Sequence, residues 1–128
     1  MGRIIIISVI VGFVLWTALW LSSGLVVTKV MPEAAPVEGQ RVDSVGALLI
    51  FIVLSVIFSV LSGFVAVKIA PAAAQKAGWI LAVVLFAVGV AVEIAGWATT
   101  PVWYHIVFLV LLIPSVVVGA RLGAPKQT

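Results

Sequence analysis

The sequence predicts an all-α membrane protein, four transmembrane helices in an up-down-up-down bundle with both termini on the cytoplasmic side. Three observations carry that expectation. Hydrophobic residues make up 65% of the chain and charged residues only 9%, whereas a soluble domain typically carries about a quarter charged residues. The apolar residues fall into four runs, each close to the roughly 20 residues that cross a hydrocarbon core. The basic residues that punctuate the runs are split unequally between the two sides, which is the usual signature of orientation. With 128 residues in all, four spans leave little for a soluble domain, and one membrane domain is expected.

The first run opens as a signal peptide does, with Met1-Gly2-Arg3 before Ile4 to Leu21. Its apolar stretch is too long for an h-region and no A-x-A-like cleavage site follows, so it reads as an uncleaved span over about 4–27. Trp20 belongs toward the far end of this span. Trp16 falls near its middle, where an indole N–H wants a partner, and is expected to face another helix or a bound molecule.

Residues 28–43 contain Pro32, Pro36 and the acids Glu33, Glu38 and Asp43, so helix does not run through them and they form the one sizeable outer loop. Asp43 or Ser44 is placed to cap the second span, expected over about 45–69 and closed by Lys68 and Pro71. Within it Ser55, Ser59 and Gly63 recur every fourth residue, with Ser62 and Ala66 beside them. Small residues at this spacing let a second helix backbone approach, because lipid supplies no hydrophobic drive between helices. The face serves either the chain's own bundle, a partner subunit or a second copy.

The connection from Pro71 to Lys76 leads into a third span over about 77–97, with Trp79 and Trp97 as anchors at its two ends. Ala82, Phe86, Gly89, Glu93 and Gly96 lie on one stripe of a 3.6-residue helix, so Glu93 shares the face of the small residues and points inward. The fourth span, over about 103–120, carries His105, Leu109, Leu112, Val116 and Gly119 on one stripe and is expected to kink at Pro114. Trp97, Trp103 and Tyr104 cluster as an aromatic belt at one interface, with Trp79 the interfacial anchor at the other. A quinone or pigment platform is the lesser reading of that cluster. Ser59-x-x-x-Gly63 before Lys68 is echoed by Ser115-x-x-x-Gly119 before Arg121, a short hint of a duplicated two-helix unit.

Arg3, Lys68, Lys76, Arg121 and Lys126 fall on one side, against Lys29 and Arg41 on the other. The richer side is cytoplasmic. Residues 28–43 and the turn after Glu93 are then periplasmic, and a bacterial inner membrane is the expected location.

Glu93 and His105 form the candidate site. They flank the turn Ala98-Thr99-Thr100-Pro101 six residues to either side of Thr99, which puts both about 9 Å along their helices from its centre. An ionisable side chain at mid-membrane costs about 2.5–3.5 kcal/mol on insertion scales, so Glu93 needs a reason. It locks the two helices together through His105, binds a proton, cation or ligand, or meets a partner's basic residue. His105, the one histidine, is a satisfied polar group or, less favoured, an axial ligand to haem iron or chlorophyll magnesium.

Other chemistry is excluded by what the chain lacks. It has no cysteine, hence no disulfide, thiolate metal site or thiol catalysis. A zinc site wants three or four ligands and the sequence offers one imidazole with scattered carboxylates, so no metal is expected. Nucleophile motifs, phosphate-binding glycine loops and paired acid/base carboxylates are absent, and an enzyme is not expected. The net charge of +3 is the ordinary flank charge of membrane helices and does not point to nucleic acid. No cofactor is predicted, with a bound lipid, quinone or pigment left open.

Two function classes follow. The first is a small accessory or scaffold subunit that packs into a larger membrane complex, in contact with lipid and with other subunits or further copies of itself. The second is a minimal proton- or cation-coupled transporter using Glu93. In length, span count and a single membrane Glu the chain resembles the small multidrug resistance transporters. Their essential Glu lies in the first helix, whereas Glu93 lies in the third, so the resemblance extends to architecture and implies no activity.

Overall fold

The computed structural model describes residues 2–31 and 45–125. Four α-helices, α1 (Gly2–Val30), α2 (Val45–Ile69), α3 (Ala74–Ala95) and α4 (Val102–Gly123), account for most of them. Each is long and apolar enough to cross a membrane. Short 3-10 turns, Pro71–Ala73 and Trp97–Thr99, join α2 to α3 and α3 to α4.

The helix ends depart from the sequence reading for local reasons. Thr28, Lys29 and Val30, expected in the outer loop, extend α1. Polarity ends an apolar run without ending a helix, and the Thr28 hydroxyl bonds back to the Gly24 carbonyl at 2.9 Å. The helix stops where Met31 precedes Pro32, since a residue before proline is disfavoured in the α conformation. The rest of the loop, with the proposed caps Asp43 and Ser44, lies outside the described residues. α3 starts at Ala74, earlier than expected, because Pro71 presets the first turn and alanines propagate it. It also ends earlier, at Ala95, with Gly96 as its C-cap, so Trp97 belongs to the turn. Pro114 sits inside α4 on an outward position.

The predicted inward stripes meet in the bundle. Ser55, Ser59 and Gly63 of α2, Gly89 and Glu93 of α3, and His105, Leu112, Val116 and Gly119 of α4 are all buried. The main core gathers Trp16, Leu81, Leu85, Phe108, Leu112 and Val116. Trp16 stacks on Trp20 at 5.9 Å and donates its indole N–H to the Ser59 hydroxyl at 3.2 Å. That bond gives the buried indole the partner it needs, and the partner is a neighbouring helix of the same chain.

The closest approach is between α2 and α4. A Cβ on Gly63 would overlap the Val116 carbonyl and lie 3.0 Å from the Ala120 nitrogen, and one on Gly119 would lie 2.7 Å from the Val60 carbonyl carbon. Two glycines one turn beyond Ser59 and Ser115 thus let two backbones touch, which is the association that small residues permit in lipid. At the far end of the same pair Leu48 and Ile52 pack with Tyr104. α1 meets α2 through Val27 and Ala47 at one end and at Gly12, whose Cβ would lie 3.4 Å from the Ser62 carbonyl oxygen, toward the other.

Candidate functional site

The hairpin from α3 into α4 builds the site. α3 ends on Gly96, whose N–H bonds to the Val92 carbonyl at 3.0 Å. The chain then makes one 3-10 turn, extends through Thr100, and re-enters helix behind Pro101, whose carbonyl accepts the Tyr104 N–H at 3.1 Å. Pro101 has no N–H to lose at this position and its fixed φ sets the helix entry. The result brings Glu93, in the last turn of α3, against His105, in the first turn of α4.

Glu93 is 5% exposed and His105 1%. The Glu93 Oε2 and His105 Nδ1 atoms are hydrogen-bonded partners. The opposite ring nitrogen, Nε2, lies 3.2 Å from the Trp97 carbonyl oxygen and 3.1 Å from the Thr100 hydroxyl. Trp97 lays its indole flat on the imidazole, with centroids 4.3 Å apart and planes 9° from parallel. Tyr104 closes another side edge-on at 6.0 Å. The imidazole is therefore held at both nitrogens and covered on a face, all by residues of its own hairpin.

A backbone carbonyl only accepts, so the contact with Trp97 is made by the tautomer with its hydrogen on Nε2, for which the Thr100 oxygen is a second acceptor. Nδ1 and Glu93 then share a single proton. Written as imidazolium and carboxylate, or as imidazole and carboxylic acid, the pair has zero net charge. A neutral, hydrogen-bonded pair avoids the cost of a lone buried charge.

The order carboxylate, imidazole, hydroxyl from Glu93 through His105 to Thr100 is the connectivity that activates a serine nucleophile elsewhere. In the tautomer that donates to Trp97, the nitrogen facing the hydroxyl has no lone pair to offer. Axial ligation of a haem or chlorophyll would likewise require His105 to give up one of its internal bonds. Among the described residues no group of three or more His, Cys, Asp or Glu side chains is placed to hold a metal ion.

The remaining sequence candidates divide. Ser55 turns its hydroxyl back to the Ile52 carbonyl at 2.8 Å, Ser59 accepts from Trp16, and Gly63 and Gly119 form the close crossing. Gly89 faces Leu109, Leu112 and Phe108. Gly96, expected on the packing stripe, is half-buried and terminates α3 instead. Trp79, Trp97 and Trp103 are exposed near helix ends. Tyr104 departs from its expected place in the outward belt: it is 5% exposed, with its ring against Phe108, Leu48 and Ile52. Trp103, one residue earlier and about 100° around the helix, takes the outward position. Two site members escaped sequence reasoning, the Thr100 hydroxyl and the Trp97 carbonyl. A carbonyl has no sequence signature, but the paired threonines beside Pro101 marked polar groups at this depth. Comparison with known families, curated proteins and solved structures gave no match.

Proposed function

We propose that this chain is a small accessory or scaffold subunit of a larger membrane protein complex, set in a bacterial inner membrane. The observation that carries the reading is the closure of Glu93. It is the one acidic side chain among the described residues, and its partner is a histidine of the same hairpin, itself held by that hairpin's own turn. A proton- or cation-coupled carrier needs an acid that exchanges with a pathway. Glu93 instead acts as a fastener between α3 and α4.

The helices run up-down-up-down with both termini cytoplasmic. Support for the alternation comes from the end-to-end contacts: Val27 with Ala47 and Gly12 near Ser62 oppose α1 and α2, and Glu93 with His105 and Gly78 near Ala120 oppose α3 and α4. The five-to-two split of Lys and Arg supports the orientation. α1 is the helix offered to a partner. Of its 29 residues only Ile5, Ser8, Gly12, Trp16 and Val27 are buried, and Ala18 and Ser22 stand exposed one turn apart. That gives a second backbone a place to approach.

The test is purification of the tagged protein from its native membrane in mild detergent, paired with flux measurements on the pure protein in liposomes. A larger membrane protein at fixed stoichiometry, with no flux, supports the reading. A pH-dependent flux that disappears in Glu93→Gln makes the chain a carrier.

A further inference from the structure

At the end of the bundle opposite Glu93, the start of α3 and the end of α4 part around an open cleft of about 200 Å³, walled by Gln75, Trp79, Val117, Arg121 and Ala124. The cleft exists because the helices converge just beneath it: a Cβ on Gly78 would lie 2.6 Å from the Ala120 Cβ. Above this contact the short side chains of Ala74 and Ala124 leave space.

The lining is of two kinds. Arg121 and Gln75 bring a cation and an amide, while Trp79 and Val117 bring an apolar wall. Among the described residues the cation has no acidic counterpart. Glu93, the one acid among the described residues, is committed to His105 at the far end of α3. Lys76 and Lys68 are exposed at the same end as Arg121 and add to the positive potential. Trp79, 47% exposed, marks the level at which an indole sits between headgroups and acyl chains.

We propose that this cleft binds the phosphate headgroup of one anionic phospholipid. Guanidinium matches phosphate in charge and in paired donor geometry. The volume, roughly that of seven waters, takes a phosphate and the first glycerol carbons. The acyl chains then follow the apolar wall of Trp79 and Val117, for which a free anion has no use. The basic side of a membrane protein faces the leaflet rich in anionic lipid, where each Lys or Arg contributes about 1 kcal/mol of attraction. The inference stands whether or not the chain works as an accessory subunit, because it concerns a cleft within the chain itself.

The experiment is native mass spectrometry of the purified protein in a neutral detergent, titrated with dioleoylphosphatidylglycerol and with dioleoylphosphatidylcholine. The expected result is a first phosphatidylglycerol bound at least about fivefold more tightly than phosphatidylcholine, the factor that one cation near the surface supplies. Arg121→Gln abolishes that preference. Lys29→Gln, which removes the same charge at the opposite end, leaves it intact. Ala124→Trp fills the cleft without changing charge and lowers phosphatidylglycerol affinity by a similar factor. Equal affinity for the two lipids overturns the proposal, as does an equal loss in Arg121→Gln and Lys29→Gln, or an Ala124→Trp variant that binds normally. Displacement of the lipid by millimolar inorganic phosphate overturns the choice of a lipid, leaving a site for small anions.

Discussion

Replacing Gly119 by alanine adds one methyl group where α4 touches the backbone of α2. An ideal Cβ there lies 2.7 Å from the Val60 carbonyl carbon and 2.8 Å from its Cα, with the carbonyl oxygen nearer still. Ordinary contacts begin near 3.4 Å, and backbone has no rotamer by which to retreat, so the seam must open by roughly 1 Å. A gap of about that size forfeits a quarter to a half of each dispersion contact. Over roughly 30 atom pairs at about 0.1–0.2 kcal/mol each, the loss is about 1–3 kcal/mol, the range found for overpacked sites. Gly63→Ala meets the same seam from the other side, at Val116 and Ala120. Once one methyl has separated the helices the second costs less, so the double variant should fall short of the sum by about 0.5 kcal/mol or more. Gly24→Ala is the control, since a Cβ there meets nothing within 4 Å and alanine is the better helix former by up to about 1 kcal/mol. The assay is reversible unfolding in mixed micelles. Gly119→Ala as stable as Gly24→Ala, or fully additive glycine variants, refutes the backbone contact between α2 and α4.

Other perturbations address the polar groups and the topology. Glu93→Leu and His105→Leu should each cost about 1–3 kcal/mol by leaving the remaining partner poorly satisfied, with a coupling near 0.6 kcal/mol in a double-mutant cycle, typical of intramembrane hydrogen bonds; zero coupling removes the fastening role. Nitrogen NMR should find His105 Nε2 protonated, and still so in Thr100→Val, because the Trp97 carbonyl holds that hydrogen; a switch to the other tautomer in that variant contradicts the assignment. Trp16→Phe and Ser59→Ala should each cost about 1 kcal/mol in unfolding and less than the sum together, since they share one bond. A reporter fused after Thr128 should be active only as a cytoplasmic fusion; periplasmic activity inverts the proposed topology.

Four helices were readable because a bilayer demands long apolar runs, and their inward faces because small residues recur at helical spacing. Glu93 and His105 could be set at one depth by counting outward from the turn. Rotation about each helix axis was not readable to better than a residue, which is why Tyr104, expected in the outward belt beside Trp103, turns inward while Trp103 keeps the outward place. The polarity of the Trp16 indole called for a partner without naming Ser59, because that contact joins residues 43 positions apart. Helix ends followed proline and glycine rather than the limits of hydrophobicity, as Val30 and Ala95 show. The turn's contribution to the site came from a backbone carbonyl, which every residue carries and no sequence pattern marks. The cleft at Arg121 was equally hidden, since basic residues flank every membrane helix and only packing separates one that borders a cavity.

The proposed role makes Glu93 the fastener of a hairpin in a subunit that works as part of a larger assembly. Its most direct test is size-exclusion chromatography of the tagged protein extracted from its native membrane in mild detergent, with the stoichiometry of each component determined. The proposed role predicts elution with a larger membrane protein at a fixed ratio, and loss of that protein when Ala18→Phe and Ser22→Phe block the outer face of α1. Elution of the chain alone, with liposomes of the pure protein moving protons or cations in a way that Glu93→Gln abolishes, contradicts it.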